Sequence, residues 1–173
     1  MKINTKEREY KLLDKSCIDQ LLQVQEEAFE YAKGDTDFLR RNTYETFSVC
    51  FGEKSAVIGA YFKGEMIAFG ILFAAGEDKE NLAKDVDEIQ DITQSANVKL
   101  VIVRPAFRGN GLQRELVKRM EDSAKKSGFK WLCTTVSPTN KWSYDNCIKS
   151  GFKQVKILVK YGGLTRALLV KEI

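Results

Sequence analysis

The sequence predicts an α/β fold in a single domain, with a central mixed β-sheet flanked by helices. Three observations carry this prediction. A strongly amphipathic helix lies between two apolar strands, at residues 97–103 and 129–136. That order implies a parallel pair joined by a right-handed crossover. Hairpin patterns bracket this unit, at 56–74 and at 152–172, and they add antiparallel pairs to the same sheet. The chain has 173 residues of which 43% are hydrophobic, the size and apolar content of one core. No repeat or linker divides it, so residues 1–173 read as one domain.

Taken in order, residues 8–13 read as a short strand. From Ser16 to about Lys33 the period is helical, with Ile18, Leu21, Leu22, Ala28 and Phe29 near one face. Gly34-Asp-Thr-Asp interrupts that helix and is placed to cap a second one near 37–49. In 56–74 two apolar segments flank Lys63-Gly64-Glu65, a short glycine-containing connection that signals a hairpin. Both strands are apolar nearly throughout, as central strands are. The stretch 77–95 reads as a loop or a surface helix. Strand 97–103 stops at Pro105, which cannot continue a ladder. The helix at 109–127 buries Leu112, Leu116, Val117, Met120 and Ala124, and Gly128 is its left-handed stop. Strand 129–136 follows. Ser137-Pro138-Thr139-Asn140 opens a short helix that Gly151 ends, and a hairpin across Gly162-Gly163 closes the chain.

Composition removes several classes of chemistry. The chain contains no histidine, which excludes every Ser-His or Cys-His nucleophile and every histidine metal cluster. The four cysteines, at 17, 50, 133 and 147, have no CxxC spacing, so neither a disulfide framework nor a metal site is expected. Cys133, in a strongly apolar context, reads as a core residue. A net charge of +4 is too mild to point to nucleic acid. Residues 77–91 hold seven acids against two lysines, a net −5, which leaves +9 on the remainder. No apolar run approaches the ~20 residues that span a bilayer, and the first residues lack the apolar stretch of a signal peptide. A cytoplasmic protein without membrane or nucleic-acid partners is the expectation.

The chemistry concentrates in Val103-Arg-Pro-Ala-Phe-Arg-Gly-Asn-Gly-Leu-Gln-Arg114. A strand ends, a glycine-rich turn follows and a helix begins. Such a turn presents successive backbone N–H groups backed by the positive end of a helix dipole, which suits a pyrophosphate. Gly109 and Gly111 let phosphate oxygens approach the backbone, and Arg108 adds a fixed charge. A dinucleotide-binding GxGxxG would need a third glycine where Arg114 stands, and the Gly-Lys-Ser/Thr of a Walker loop is absent. From the glycines alone, a simply capped helix fits as well as a phosphate site.

Arg108-Gly109-Asn110-Gly111-Leu112-Gln113 resembles the pyrophosphate-binding motif of the GNAT acetyltransferase superfamily, Gln/Arg-x-x-Gly-x-Gly/Ala. The preceding Val103-x-Pro105-x-Phe107, and the later Asn140-x-x-Ser143 followed by Lys149-Ser-Gly151-Phe152, are also similar to the family. The resemblance spans roughly residues 97–160, and Gln113 departs from it where the family usually has Gly or Ala. It implies a fold in which two parallel strands splay apart and hold acetyl-CoA between them, here 97–103 and 129–136. Val101 and Val103 would offer main-chain groups to the pantetheine arm. Residues 108–113 would hold the pyrophosphate, and Arg104, Arg108 and Arg114 suit phosphates. Asn140 would face the arm or cap its helix, or both, with Ser143 beside it.

The implied reaction is direct attack by a primary amine on the thioester, with no metal. A backbone N–H near Val103 could serve the oxyanion. Where many relatives place a catalytic glutamate, early in the strand, this chain has about Asn97. Where many have a tyrosine acid it has Cys147, with Tyr144 nearly one turn earlier. Cys147 is therefore either an acid or a packed helix residue. A non-catalytic acyl-CoA sensor of the same fold is the alternative. The acceptor, a small molecule or a peptide amine, is expected to enter past acids on the first helix (Glu26, Glu27, Glu30) and the −5 segment.

Overall fold

The computed structural model describes residues 1–33, 37 and 39–173. Among these, the strands are β1 Arg8–Leu12, β2 Ala56–Phe62, β3 Glu65–Phe73, β4 Ser95–Val103, β5 Trp131–Val136, β6 Lys153–Lys160 and β7 Leu164–Glu172. The α-helices are α1 Ile18–Tyr31, α2 Tyr44–Ser48, α3 Leu112–Lys126 and α4 Lys141–Lys149. One sheet runs in the order β1-β2-β3-β4-β5-β7-β6. Its one parallel pair is β4·β5 and the other pairs are antiparallel. The mixed sheet expected from the crossover and the two hairpins is the sheet that forms.

Apolar alternation fixes what covers each face. Ala60, Ala68, Ala96, Val98, Leu132 and Leu169 turn to one side, where α3 buries Leu112, Leu116, Val117 and Met120 and α4 buries Cys147. Contact there is close at Gly70. A Cβ at that glycine would stand 2.9 Å from the Met120 methyl, so the missing side chain lets α3 settle on β3. On the opposite face, Val57, Phe69, Ile71 and Ile102 receive Ile18, Leu21 and Val24 of α1 and Phe47 of α2. Further along that face, Leu82, Ala83, Val86 and Ile89 cover Cys133, Leu168 and Val170.

Three elements differ from their sequence expectation. The second helix begins at Tyr44, and its cap is Thr43, whose hydroxyl accepts from the Thr46 N–H. Only Asp37 of the 34–37 segment lies within the described residues, and it is in a turn outside any helix. Apolar side chains at 39–51 lack a full helical period, so only one turn and a following 3₁₀ turn at Val49–Phe51 form. The stretch 77–95 is neither a plain loop nor a surface helix. It carries 3₁₀ turns at Leu82–Asp85 and Ile92–Gln94 and buries four apolar residues. Its polar residues masked that role, since Asp78, Asn81 and Asp91 spend their side chains on local backbone N–H groups. The helix expected at 109–127 starts at Leu112, because Gly109 and Gly111 hold left-handed φ values of 75° and 76° that end helical geometry.

Candidate active site

The parallel pair β4·β5 is short. It joins Ser95–Asn97 to Trp131–Cys133 and ends there, although β4 continues to Val103 and β5 to Val136. At the point of separation the Thr134 hydroxyl donates to the Val98 carbonyl at 2.9 Å, which closes the apex of a V. On the β3 side the register slips between Ile71 and Leu72, leaving Lys99 as the extra, bulged residue of β4. The bulge bends β4 away from β5 where pairing stops.

Strand parity then says which groups face the gap. The Arg104 N–H donates to the Ile67 carbonyl at 2.9 Å, so the backbones of Arg104 and Ile102 turn to β3. Those of Val101 and Val103 turn the other way, towards β5. Among the described residues no ladder pairs Lys99–Val103 with β5. The two valines thus present N–H and C=O groups to an opening that a third, extended backbone could fill.

The opening leads to the glycine turn. α3 begins at Gly111 with no side-chain cap, and the N–H groups of its first turn have no intrahelical acceptor. A Cβ at Gly109 or Gly111 would meet no protein atom nearer than 3.8 Å. Glycine is required there by the left-handed backbone, not by crowding within the chain. Arg108 lies over the Tyr31 ring, 4.5 Å from its centroid, and Arg114, Lys118 and Arg119 line a shallow concavity beside the turn.

Other residues of the motif point away from the turn. The Asn110 amide donates to the carbonyls of Met1 and Phe107, and its oxygen accepts from the Ile3 N–H, so only its backbone can meet a phosphate. Leu112 is buried in the core, and it too has only its N–H to offer. Gln113 reaches α4, donating to Ser143 Oγ at 3.2 Å and accepting from Asn146 Nδ2 at 3.0 Å. A glycine or alanine at that position could not make this bridge. Arg104 is buried and paired with Glu27 and Glu65, so it is committed to α1 and the β2–β3 hairpin and is not available to a phosphate.

On α4, Asn140 is the N-cap: its Oδ1 accepts from the Ser143 N–H at 3.2 Å. Its amide NH₂ is the part that could donate to an arm in the cleft. Tyr144 is half-buried against the α3-side core. Cys147 is 5% exposed, and burial pushes its thiol up to about 11. A thiol so raised holds almost no thiolate at neutral pH, which removes it as a nucleophile.

On the opposite face, sequence reasoning named Asn97 but missed what it and its neighbours bind. Asn97, buried, accepts from the Leu82 N–H at 3.2 Å and donates to the Glu80 carbonyl at 2.8 Å. Lys99 Nζ is 2.8 Å from Glu80 Oε2. Beyond β5, Asp37 accepts from Ser137, Thr139 and the buried Arg166, and the Ser137 hydrogen bond, followed by that from Arg166, holds its carboxyl below the usual range. Tyr161 and Thr135 share a hydroxyl contact of 2.9 Å. These partners lie far apart in sequence, so no local spacing announces them. Of the acids expected at an acceptor entrance, Glu26 is held by Arg41, Glu27 by Arg104, Asp85 by Lys160 and Asp87 by Lys156.

A parallel strand pair opened at a bulge and ending on an uncapped, glycine-started helix is the architecture of an acetyl-CoA-type acetyltransferase domain. The family model for the acetyltransferase (GNAT) family matches residues 18–152, and the chain belongs to that family. Solved structures agree on the fold. A GCN5-related N-acetyltransferase from Kribbella flavida superposes with a TM-score of 0.74 at 14% identity, covering 98% of this chain and 100% of that one. The ribosomal-protein-S18-alanine N-acetyltransferase of Escherichia coli gives 0.70 at 17%, covering 96% and 94%. A proposed acetyltransferase from Salmonella typhimurium, solved with its cofactor acetyl-CoA, gives 0.70 at 15%, also covering 96% and 94%. No curated protein matches the chain.

Proposed function

We propose that this protein is an N-acetyltransferase that moves the acetyl group of acetyl-CoA to a primary amine by direct attack on the thioester. The observation that carries the reading is a strand gap followed along the chain by the glycine turn. The inward-facing backbones of Val101 and Val103 are followed by a 3₁₀ turn at Pro105–Phe107 and then by the uncapped start of α3. Acetyl-CoA fits such a groove as an added strand with an anionic end. Val101 and Val103 would bond the pantetheine amides, and the N–H groups of residues 109–113 with Arg108 would hold the pyrophosphate. With the phosphates at the far end of β4, the thioester lies towards the bulge. The Val101 N–H, nearer the apex than that of Val103, is then the better oxyanion donor.

The test is acetyl-CoA binding by calorimetry, with thiol release across small-molecule and peptide amines. Saturable binding with amine-dependent release is expected. A second reading, a non-catalytic acyl-CoA sensor, draws on a specific observation: Asn97 is committed to the 80–82 backbone and Cys147 is buried, so neither position usual for acid–base work can do it. Binding without release for any amine would favour the sensor.

A further inference from the structure

Asn97 occupies the place where many relatives carry a carboxylate, and the structure shows what it does instead. It is the last β4 residue paired with β5, opposite Phe73 on β3 and Cys133 on β5, so its side chain is on the sheet face away from α3. Both ends of its amide hold the backbone of the 77–94 segment: Oδ1 accepts from Leu82 and Nδ2 donates to the Glu80 carbonyl. The Glu80 N–H is held as well, by Asp78 Oδ1 at 2.7 Å. With its backbone fixed on both sides, Glu80 lies over the apex of the strand opening. Its side chain runs along β4 to Lys99, the bulged residue, at 2.8 Å. Lys99 Nζ is fixed in turn 4.6 Å from the centroid of the Phe73 ring. The Glu80 side chain keeps 40% of its surface exposed.

Glu80 and Lys99 keep part of their surface exposed beside the point where β4 and β5 part, so an acceptor that reaches a thioester in the cleft from this side meets Glu80. We propose that Glu80 is the proton acceptor of the transfer, a carboxylate supplied by the β3–β4 connection and set in place by Asn97 and Lys99. This rests on the transferase reading above. Glu80 takes a proton from the incoming ammonium, directly or through one water, and the neutral amine nitrogen then forms the C–N bond at the thioester carbonyl. The C–S bond breaks, and the departing thiolate takes up the N–H proton that the nitrogen sheds, so amine and thioester become amide and thiol. Asp37 accepts from three side chains at once, Ser137, Thr139 and Arg166, whereas Glu80 shares its carboxylate with Lys99.

The experiment compares wild type and Glu80→Gln in the full chain. It measures acetyl-CoA affinity by calorimetry and thiol release with an alkylamine and with hydroxylamine, a weak base already neutral at neutral pH. Glu80→Gln should lower kcat/KM for the alkylamine by ~10² or more. Acetyl-CoA affinity and the hydroxylamine rate should stay within about threefold of wild type. An unchanged alkylamine rate would overturn the proposal, and so would an equal loss with both nucleophiles, which would make Glu80 a residue that shapes the site without taking the proton. Wild-type binding of acetyl-CoA with no turnover would overturn Glu80 and favour the sensor. Absence of acetyl-CoA binding would overturn the transferase reading itself, and with it the role of Glu80.

Discussion

The two ends of α3 are built from the same residue type and treated in opposite ways. Gly111 at its start and Gly128 just past its end have nearly the same left-handed backbone, φ 76° and 83°. At the C-terminal end the chain satisfies itself. The N–H groups of Ser127, Gly128 and Phe129 all donate back to helix carbonyls, and Glu121 is gripped by Lys125 and Lys171, the latter also donating to the Ser150 carbonyl. At the N-terminal end no side chain caps the helix, and Arg104 is already neutralised by Glu27 and Glu65. On the transferase reading proposed above, the open end is where an outside anion would sit.

The sharpest way to break this comparison is a matched pair of substitutions, Gly111→Val and Gly128→Val. Neither side chain would meet a protein atom nearer than 3.8 Å at its Cβ, so each should cost about 1–2 kcal/mol of backbone strain and little else in stability. Only the first should weaken acetyl-CoA binding, by ~100-fold or more, equivalent to about 2.7 kcal/mol. Calorimetry on both folded variants checks it. Equal affinities would mean that the open end is an ordinary helix start.

The closed end has its own test. Glu121 is buried, and burial alone would raise its carboxyl. Hydrogen bonds from Lys171 and Lys125 outweigh that, and the net shift is downward. A carboxyl lowered in the folded state adds stability above its unfolded value of about 4.3, and this is lost as pH falls through the folded value. Glu121→Gln should therefore cost about 1–2 kcal/mol near pH 7, shrinking towards zero in acid. Urea titrations of both proteins at several pH values read this out, and acetyl-CoA affinity should not move.

The contrast also explains what could be read in the sequence. The open end is built from backbone, and backbone requirements leave local marks: Gly109 and Gly111 two residues apart, Pro105 before them, an amphipathic stripe after. The crossover and both hairpins were legible for the same reason, since their periods run over neighbouring residues. Side-chain sites leave no such marks. Nothing near Asn97 says that its amide holds residues 80 and 82. The direction of Gln113 depends on how α4 packs, which is set by contacts some 30 residues away. The acidic 77–91 stretch misled because charge suggested an exposed segment, whereas the adjacent Leu82 and Ala83, with Val86 and Ile89 at intervals of three, are what fix it to the sheet.

The smallest expected effect falls on Cys147, which the comparison places on the closed side of the molecule. Its carbonyl accepts from the Ser150 and Phe152 N–H groups, and its thiol is in the core shared by α3, α4 and the sheet. If packing is its only role, Cys147→Ala should change kcat by less than about threefold, whereas a lost acid would cost ~10² or more. The thiol also gives a pH signature that a catalytic role would not produce. Its folded value of about 11 stands above the ordinary 9.0. Between the two, the unfolded chain sheds its proton and the folded protein does not, so folding stability falls as pH rises. Across a shift of that size the loss is on the order of 2 kcal/mol. Cys147→Ala lacks this slope. It should be less stable than wild type at pH 7 by about 1 kcal/mol, for a small cavity, and should close that gap or overtake wild type by about pH 10. Parallel denaturation curves at the two pH values would show the crossover. Lines that stay parallel while kcat falls a hundredfold would instead put Cys147 in the reaction and in contact with solvent.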